Sequence, residues 1–268
     1  MTPTRVAVVG HIEWVDFLAV AQTPAVGQIT PASRVRMNAG GGAVVAAVVM
    51  AGLGARVEFF GAVGDDEIGR RAVDELKAHG IRVACAVRDA PTRQVITFLD
   101  ARGERSIVTI GARLQPAGAD PLDWERLARV DGVYFTAGDL GALHHARASR
   151  VLTATPRIAE RLPSIDVNLD ALILSGDDRT ERDWAAGLAQ RAALQVVTEG
   201  EHGGSWSGAA AGRWEPVAPP GPVRDAYGAG DSFAAGFTLG LACSGDPAVA
   251  ARVGAECGAR ALTVAGGP

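Results

Sequence analysis

Five short runs rich in apolar residues, each closed by a glycine or a carboxylate, restrict this chain to few folds. They cover residues 6–9, 57–63, 133–136, 171–174 and 195–198, and lead into Gly10, Gly64-Asp65-Asp66, Gly138-Asp139, Ser175-Gly176-Asp177-Asp178 and Glu199-Gly200. A strand that is apolar on both faces of its pleat is stable only when both faces are covered, as in a parallel sheet packed between helices. Helical stretches alternate with the runs. Gly40-Gly41-Gly42 opens one over 43–51, stopped by Gly52 or Gly54. Asp65-Asp66 caps a second, with Ile68, Ala72 and Leu76 on one face and Gly80 as its stop. Further helices are expected over 122–130, 181–194 and 248–264. The rhythm predicts an α/β fold, a mainly parallel central sheet with helices on both faces. With 268 residues and 48% apolar content, the chain suits a single domain over 1–268.

Two segments break the rhythm. Residues 11–17 mix His11, Glu13, Trp14 and Asp16 with apolar neighbours, and so leave the sheet to line something. Residues 29–37 alternate weakly, as a half-exposed strand does. Between 81 and 110, Val83, Val87 and the stretches 94–99 and 106–110 are β-prone, with a turn at 101–104. A β-only excursion inside an α/β chain predicts a small second sheet, a lid with segments at about 12–37 and 81–112. Arg102 and Arg105 flank its turn and Arg113 follows; each is either a solvated charge or a contact to a phosphate. A hairpin is expected from 205–207 and 213–215, and a short strand at 151–153 within the less regular 141–165.

Charge and motif arithmetic remove several function classes. A net charge of −4 gives no pull toward nucleic acid or an anionic membrane. Lys77 is the one lysine among 26 basic residues, and no glycine pattern precedes it, which excludes a GxxxxGK[ST] phosphate loop. No GxGxxG follows the first strand, which disfavours a dinucleotide fold. Cys85, Cys243 and Cys257 form no CxxC pair, so reduced thiols and a cytoplasmic setting are expected. No signal peptide or membrane span is expected.

The stretch that carries chemistry lies near the end. Pro219, Pro220, Gly221 and Pro222 forbid regular structure, and from Phe233 the residues are apolar or small on nearly every face. At the junction stand Gly228-Ala229-Gly230-Asp231. A helix N-terminus offers free N–H groups and the positive end of a dipole, which together hold an anion. A carboxylate beside such an anion hole is placed to take a proton from an attacking hydroxyl. A plain N-cap is the alternative reading of the same aspartate.

Three segments in order make the chain resemble the ribokinase-like (PfkB) carbohydrate kinases. They are Gly40-Gly41-Gly42 through Val63-Gly64-Asp65-Asp66-Glu67-Ile68-Gly69; Thr198-x-Gly200-x-x-Gly203; and Asp225-x-x-Gly228-Ala229-Gly230-Asp231. The resemblance implies a three-layer fold with a β lid, and ATP- and Mg²⁺-dependent phosphorylation of a hydroxymethyl group on a sugar or nucleoside. It implies Asp231 as the base, with the N–H groups of Ala229, Gly230 and Asp231 as the anion hole and Gly228 leading into them. Thr198, Gly200 and Gly203 would shape the nucleotide phosphate loop, with Asp225 and Cys257 on the nucleotide side. Asp16, Gly40 and Gly41 would hold acceptor hydroxyls. A homodimer through the lid is a further implication.

The sequence departs from the family pattern in places. Val45 stands where an acceptor-binding Asn is usual. The Asn-x-x-Glu that organises the metal reads here as Ser175-x-x-Asp178, leaving Asp178 as an indirect metal ligand. Ala226 replaces a threonine. Two alternatives follow: a kinase for a vitamin-type hydroxymethyl group, such as a pyridoxal-like or hydroxymethylpyrimidine substrate, and a sensor that binds nucleotide or sugar without catalysis.

Overall fold

A computed structural model describes residues 3–100 and 105–267. In chain order its strands are β1 (Arg5–Val9), β2 (Glu13–Val20), β3 (Ala32–Gly40), β4 (Arg56–Gly64), β5 (Arg82–Arg88), β6 (Gln94–Leu99), β7 (Arg105–Ile110), β8 (Gly132–Phe135), β9 (Val151–Ala154), β10 (Leu169–Ser175), β11 (Ala192–Thr198), β12 (Gly204–Gly208) and β13 (Gly212–Trp214). The α-helices are α1 (Gly42–Gly52), α2 (Glu67–Ala78), α3 (Leu140–Ala146), α4 (Arg179–Leu188), α5 (Ala229–Ser244) and α6 (Pro247–Ala261).

The large sheet has nine strands in the order β13-β12-β11-β10-β9-β8-β1-β4-β5. Its strands pair in parallel from β5 to β11, and the β12–β13 hairpin adds an antiparallel edge. Strand β1 shows why the apolar runs are continuous. Val6 and Val8 pack into a core formed with α1, α2, α5 and α6, while Ala7 and Val9 pack into a second core formed with α3, α4 and the 3-10 turn Trp124–Arg129. Each face needs an apolar side chain, so no position is left for a polar one. All these parallel strands end on one rim, the rim where open α/β sheets bind ligands.

The lid is a separate four-stranded sheet, ordered β3-β2-β6-β7. Its inner face carries Val15, Phe17 and Val95, which form a small apolar core with Leu99 and Tyr227. Its outer face includes Asp16, Met37, Ile96, Phe98, Val108 and Ile110, which the strand registers place together.

The lid is smaller than the sequence suggests. Residues 82–88, expected in the lid, form β5 and pair in parallel with β4 at the edge of the large sheet. The second lid segment therefore starts at Gln94, and the first runs on through Gly40. The expected 181–194 helix stops at Leu188, and a 3-10 turn at Ala189–Arg191 leads into β11. Ala192 to Leu194 favour helix locally, but pairing with β10 from Leu169 onward completes the sheet, and tertiary pairing overrides the preference. The 122–130 helix is a 3-10 turn, and 141–165 holds α3 and β9. The lid turn at 101–104, with Arg102, lies outside the described residues. No described helix is long and apolar enough to cross a membrane.

Candidate active site

Asp231 stands where two helix N-termini meet. Gly228 caps α5 with φ 72°, a left-handed conformation that glycine adopts at no steric cost. Ala229, Gly230 and Asp231 form the first turn of α5 and line a cleft of about 1290 Å³. From the other side, Gly42, the first residue of α1, lies directly against the Asp231 carboxylate; a Cβ at Gly42 would collide with Oδ1. The diglycine segment thus serves Asp231 by close approach. Burial pushes the Asp231 carboxyl up to about 6, Arg157 and His11 pull it down, and Glu181 and Glu13 raise it further. The carboxylate is enclosed by protein yet keeps part of its residue surface open to the cleft. A carboxyl titrating there is ionised at neutral pH and still basic enough to accept a proton.

The loop before α5 is fixed from three directions. Asp225 is buried and accepts from the Tyr227 and Gly266 amides at 2.7 Å each. The Tyr227 hydroxyl accepts from the Gly41 amide at 3.1 Å, and its ring meets Phe17 edge-on at 4.9 Å. The loop thereby joins the C-terminal segment, the diglycine turn and the lid. Gly40 closes β3 beside Val15 and Tyr227. Val45 does not stand free as an acceptor contact: its side chain backs Gly228, where a Cβ would come within 3.0 Å of Cγ1. Asp225 is a brace, away from the cleft lining.

The wide part of the cleft runs from β10 and β11 to α6. Thr198, Gly200 and Gly203 line it, opposite Ala255, Gly258 and Leu262. Gly200 and Gly203 have φ of 55° and 78°, and the turn closes through Glu199 N–H to Gly203 O at 2.9 Å. Small residues on both sides leave a slot for a flat group. Cys257 is buried between α5 and α6, packed on Gly236, and does not line the slot; burial pushes its thiol up to about 11.

On the lid side the structure separates two carboxylates that the sequence leaves equivalent. Asp16 is held by Arg34 through Nε at 2.8 Å and Nη2 at 2.6 Å, on the outer face of β2. Glu13 is the one turned inward. Its Oε1 lies 3.4 Å from His11 Nε2 and 3.3 Å from Arg93 Nε, and its Cγ lies beside Gly41. Burial alone would raise the Glu13 carboxyl, but His11, Arg93 and Arg113 together hold it below the usual range. His11 Nδ1, Asn38 Oδ1, Arg93 Nε, Thr97 Oγ1 and Arg113 Nε are buried without hydrogen-bond partners. Buried polar atoms without hydrogen-bond partners are what a polar ligand or water would satisfy.

Comparisons with known proteins give the family. A model of the pfkB family of carbohydrate kinases matches residues 3–175 and 167–267. The chain belongs to that family. It is 27% identical to a ribokinase from Bacillus subtilis (strain 168) over 258 residues, covering 89% of this chain and 86% of the relative. It is 38% identical to an acarbose 7(IV)-phosphotransferase from Actinoplanes sp. over 105 residues, 36% of this chain and 34% of the relative. A microbiome-derived acarbose kinase superposes with a TM-score of 0.79 at 25% identity, covering 99% of this chain and 94% of that one. The Arabidopsis thaliana ribokinase solved with ribose and ATP shares the fold, with a TM-score of 0.77 at 19% identity over 99% and 95% of the two chains.

In this pfkB kinase two of the carboxylates that follow β10, Asp178 and Glu181, have different surroundings. Asp178 caps α4, accepting from the Thr180 and Glu181 amides at 2.9 and 3.1 Å. Glu181, three residues on, is the buried one, accepting from the Ser175 amide at 2.8 Å. The family's x-x-Glu spacing therefore also runs from Asp178 to Glu181, with the glutamate kept. Arg157, from the 3-10 turn Pro156–Glu160, reaches both carboxylates, Nε to Glu181 at 2.7 Å and Nη2 to Asp178 at 3.0 Å. Sequence reasoning put Glu13 in the segment that lines something but did not single out Glu181 or Arg157, although the Asp178-x-x-Glu181 spacing was there to read.

Proposed function

We propose that this protein is an ATP-dependent kinase that transfers the γ-phosphate to a hydroxymethyl group of a sugar or nucleoside, with Asp231 as general base. The observation that carries this reading is Asp231 itself, held between the N-termini of α5 and α1 at the floor of the cleft, with its carboxyl pushed up to about 6. The nucleotide would lie along the slot between the Thr198–Gly203 turn and α6. Its transferring group would meet the amides of Ala229, Gly230 and Asp231, whose fixed dipoles cost no reorganisation during the reaction. The acceptor hydroxyl would give its proton to Asp231 as it attacks in line, and the lid would exclude water. Glu13, rather than Asp16, would hold the acceptor, oriented by His11 and Arg93. The lid and the sugar-kinase relatives favour this reading over a vitamin-type acceptor.

Among the described residues no cluster of three His, Cys, Asp or Glu forms a metal cage. Asp178 and Glu181, which also hold Arg157, would meet a Mg²⁺ ion that arrives on the nucleotide through its waters, because such ions keep several of them. When bound, the ion would neutralise charge on the phosphate oxygens.

The test is a coupled ADP-release screen across sugars, sugar phosphates and nucleosides. Turnover with a hydroxymethyl acceptor is expected, and Asp231→Asn should lower it by at least ~10³-fold with nucleotide affinity within about threefold. Undiminished turnover in that variant would remove the assignment of the base. The apolar outer face of the lid, with Val108 49% and Ile110 48% exposed, supports a homodimer through the lid. Light scattering should give twice the 27.6 kDa chain mass, and Val108→Asp should return it to one.

A further inference from the structure

A phosphoryl transfer site needs positive charge beside the moving group, and this chain lacks the usual lysine. Lys77 sits on α2, paired with Asp74 and exposed. Among the described residues three arginines line the cleft: Arg105, Arg157 and Arg179. Arg179 is 87% exposed and turned toward Asp183, and Arg105 enters from the lid. Arg157 alone rises from the rim of the large sheet, just after β9. Two of its nitrogens are committed, Nε to Glu181 and Nη2 to Asp178. These contacts hold the planar guanidinium in place and, among the described residues, leave the Nη1 edge without a bond in the cleft, where about half the side chain remains open. Tyr134 and Asp231 line the same part of the cleft, and the Arg157 charge is felt at both.

We propose that Arg157 is a catalytic residue of this site, presenting its Nη1 edge to the transferring γ-phosphoryl group opposite the first turn of α5. The inference rests on the kinase reading and adds a cation to it. In the step, the acceptor oxygen forms a bond to the γ-phosphorus while the bond to the β–γ bridging oxygen breaks. The electron pair leaves on ADP, and the acceptor proton goes to Asp231. Arg157 exchanges no proton. It faces the equatorial oxygens, where charge is spread in the transition state, in the way that an arginine supplied within the same chain does in other phosphoryl-transfer enzymes. Glu181 then acts as the anchor that aims this arginine.

The experiment compares wild type, Arg157→Lys and Arg157→Ala, with thermal melts to confirm folding. Each is titrated with fluorescent N-methylanthraniloyl ATP and ADP in Mg²⁺, and then assayed by ADP release with whichever acceptor turns over. Wild type should prefer ATP over ADP. Arg157→Ala should erase that preference and lower kcat by on the order of 10³-fold with acceptor KM within about twofold. Arg157→Lys keeps the charge but cannot span two carboxylates and a phosphoryl, so it should recover only part of either effect. If Arg157→Ala keeps the ATP preference and more than a third of wild-type kcat, the inference falls while the kinase reading stands. If wild type binds nucleotide but finds no acceptor, the ATP preference decides alone. If wild type binds neither nucleotide, both readings fall.

Discussion

The two sides of Asp231 are built by different means. In the proposed function the nucleotide side is backbone and small residues: glycines at 200, 203, 228 and 230, free amides at the start of α5, and a slot bordered by Gly258. The acceptor side is side chains drawn together from separate strands. Glu13 comes from β2, His11 from the turn before it, Arg93 and Thr97 from the β6 region, and Asn38 from β3. The first kind of site depends on main-chain geometry, so it tolerates little change and leaves a motif. The second depends on which strands the lid brings face to face. It can be rebuilt one residue at a time, which is how one scaffold comes to serve different acceptors.

Substitutions can break this contrast. The largest effect after Asp231→Asn is expected from Gly42→Ala. The added Cβ would displace the Asp231 carboxylate, and turnover should fall by about 10²-fold, because misplacing a reacting group by about 1 Å costs that much. Nucleotide binding, measured by fluorescence titration, should change little; an equal loss of both would show that α1 supports the whole cleft. Next is Glu13→Gln, which should raise acceptor KM by about tenfold and leave nucleotide affinity alone. Asp16→Asn is the paired control. Asp16 serves an ion pair with Arg34 on the outer lid face, so KM should stay within about twofold. Reversal of that order would restore Asp16 as the acceptor ligand.

The smallest effects concern proton balance at Asp231. The proposed base must be ionised to act, so kcat should fall about tenfold per pH unit below about 6. The same shift acts on stability. An aspartate held at about 6 in the fold but near 3.9 when unfolded opposes folding in its charged form. The penalty is complete above about pH 6 and absent below about pH 4. Asp231→Asn should therefore stabilise the inactive protein by roughly 1–2 kcal/mol at pH 7.5 and by nothing at pH 4, read from denaturant midpoints. An unchanged midpoint at pH 7.5 would mean that water in the cleft solvates the carboxylate fully.

Much of the fold was legible because a strand covered on both faces has no room for polar residues. The alternation of such strands with helices then leaves one class of architecture. The turn into α5 at Asp231 was legible because prolines, two glycines and a carboxylate precede an apolar helix. The errors have a common cause. Residues 82–88 look like their lid neighbours, since pairing with β4 or with a lid strand asks for the same β-prone residues. Asp16 and Glu13 differ by three positions on one strand, and only the pleat decides which points inward. Cys257 and Val45 were credited with ligands, but both fill space between elements.

The sequence by itself determined the parallel sheet, the turn of α5 and the amides that surround Asp231, because these follow from local backbone chemistry and from burial on two faces. Only the tertiary structure decided that Glu13 turns to the inner face of the lid, that Glu181 rather than Asp178 is buried at the cleft, and that Arg157 pairs with both of the latter. Those three residues come from a strand, a helix and a 3-10 turn far apart in the chain. Their meeting depends on sheet order and strand register, which no single stretch of residues encodes.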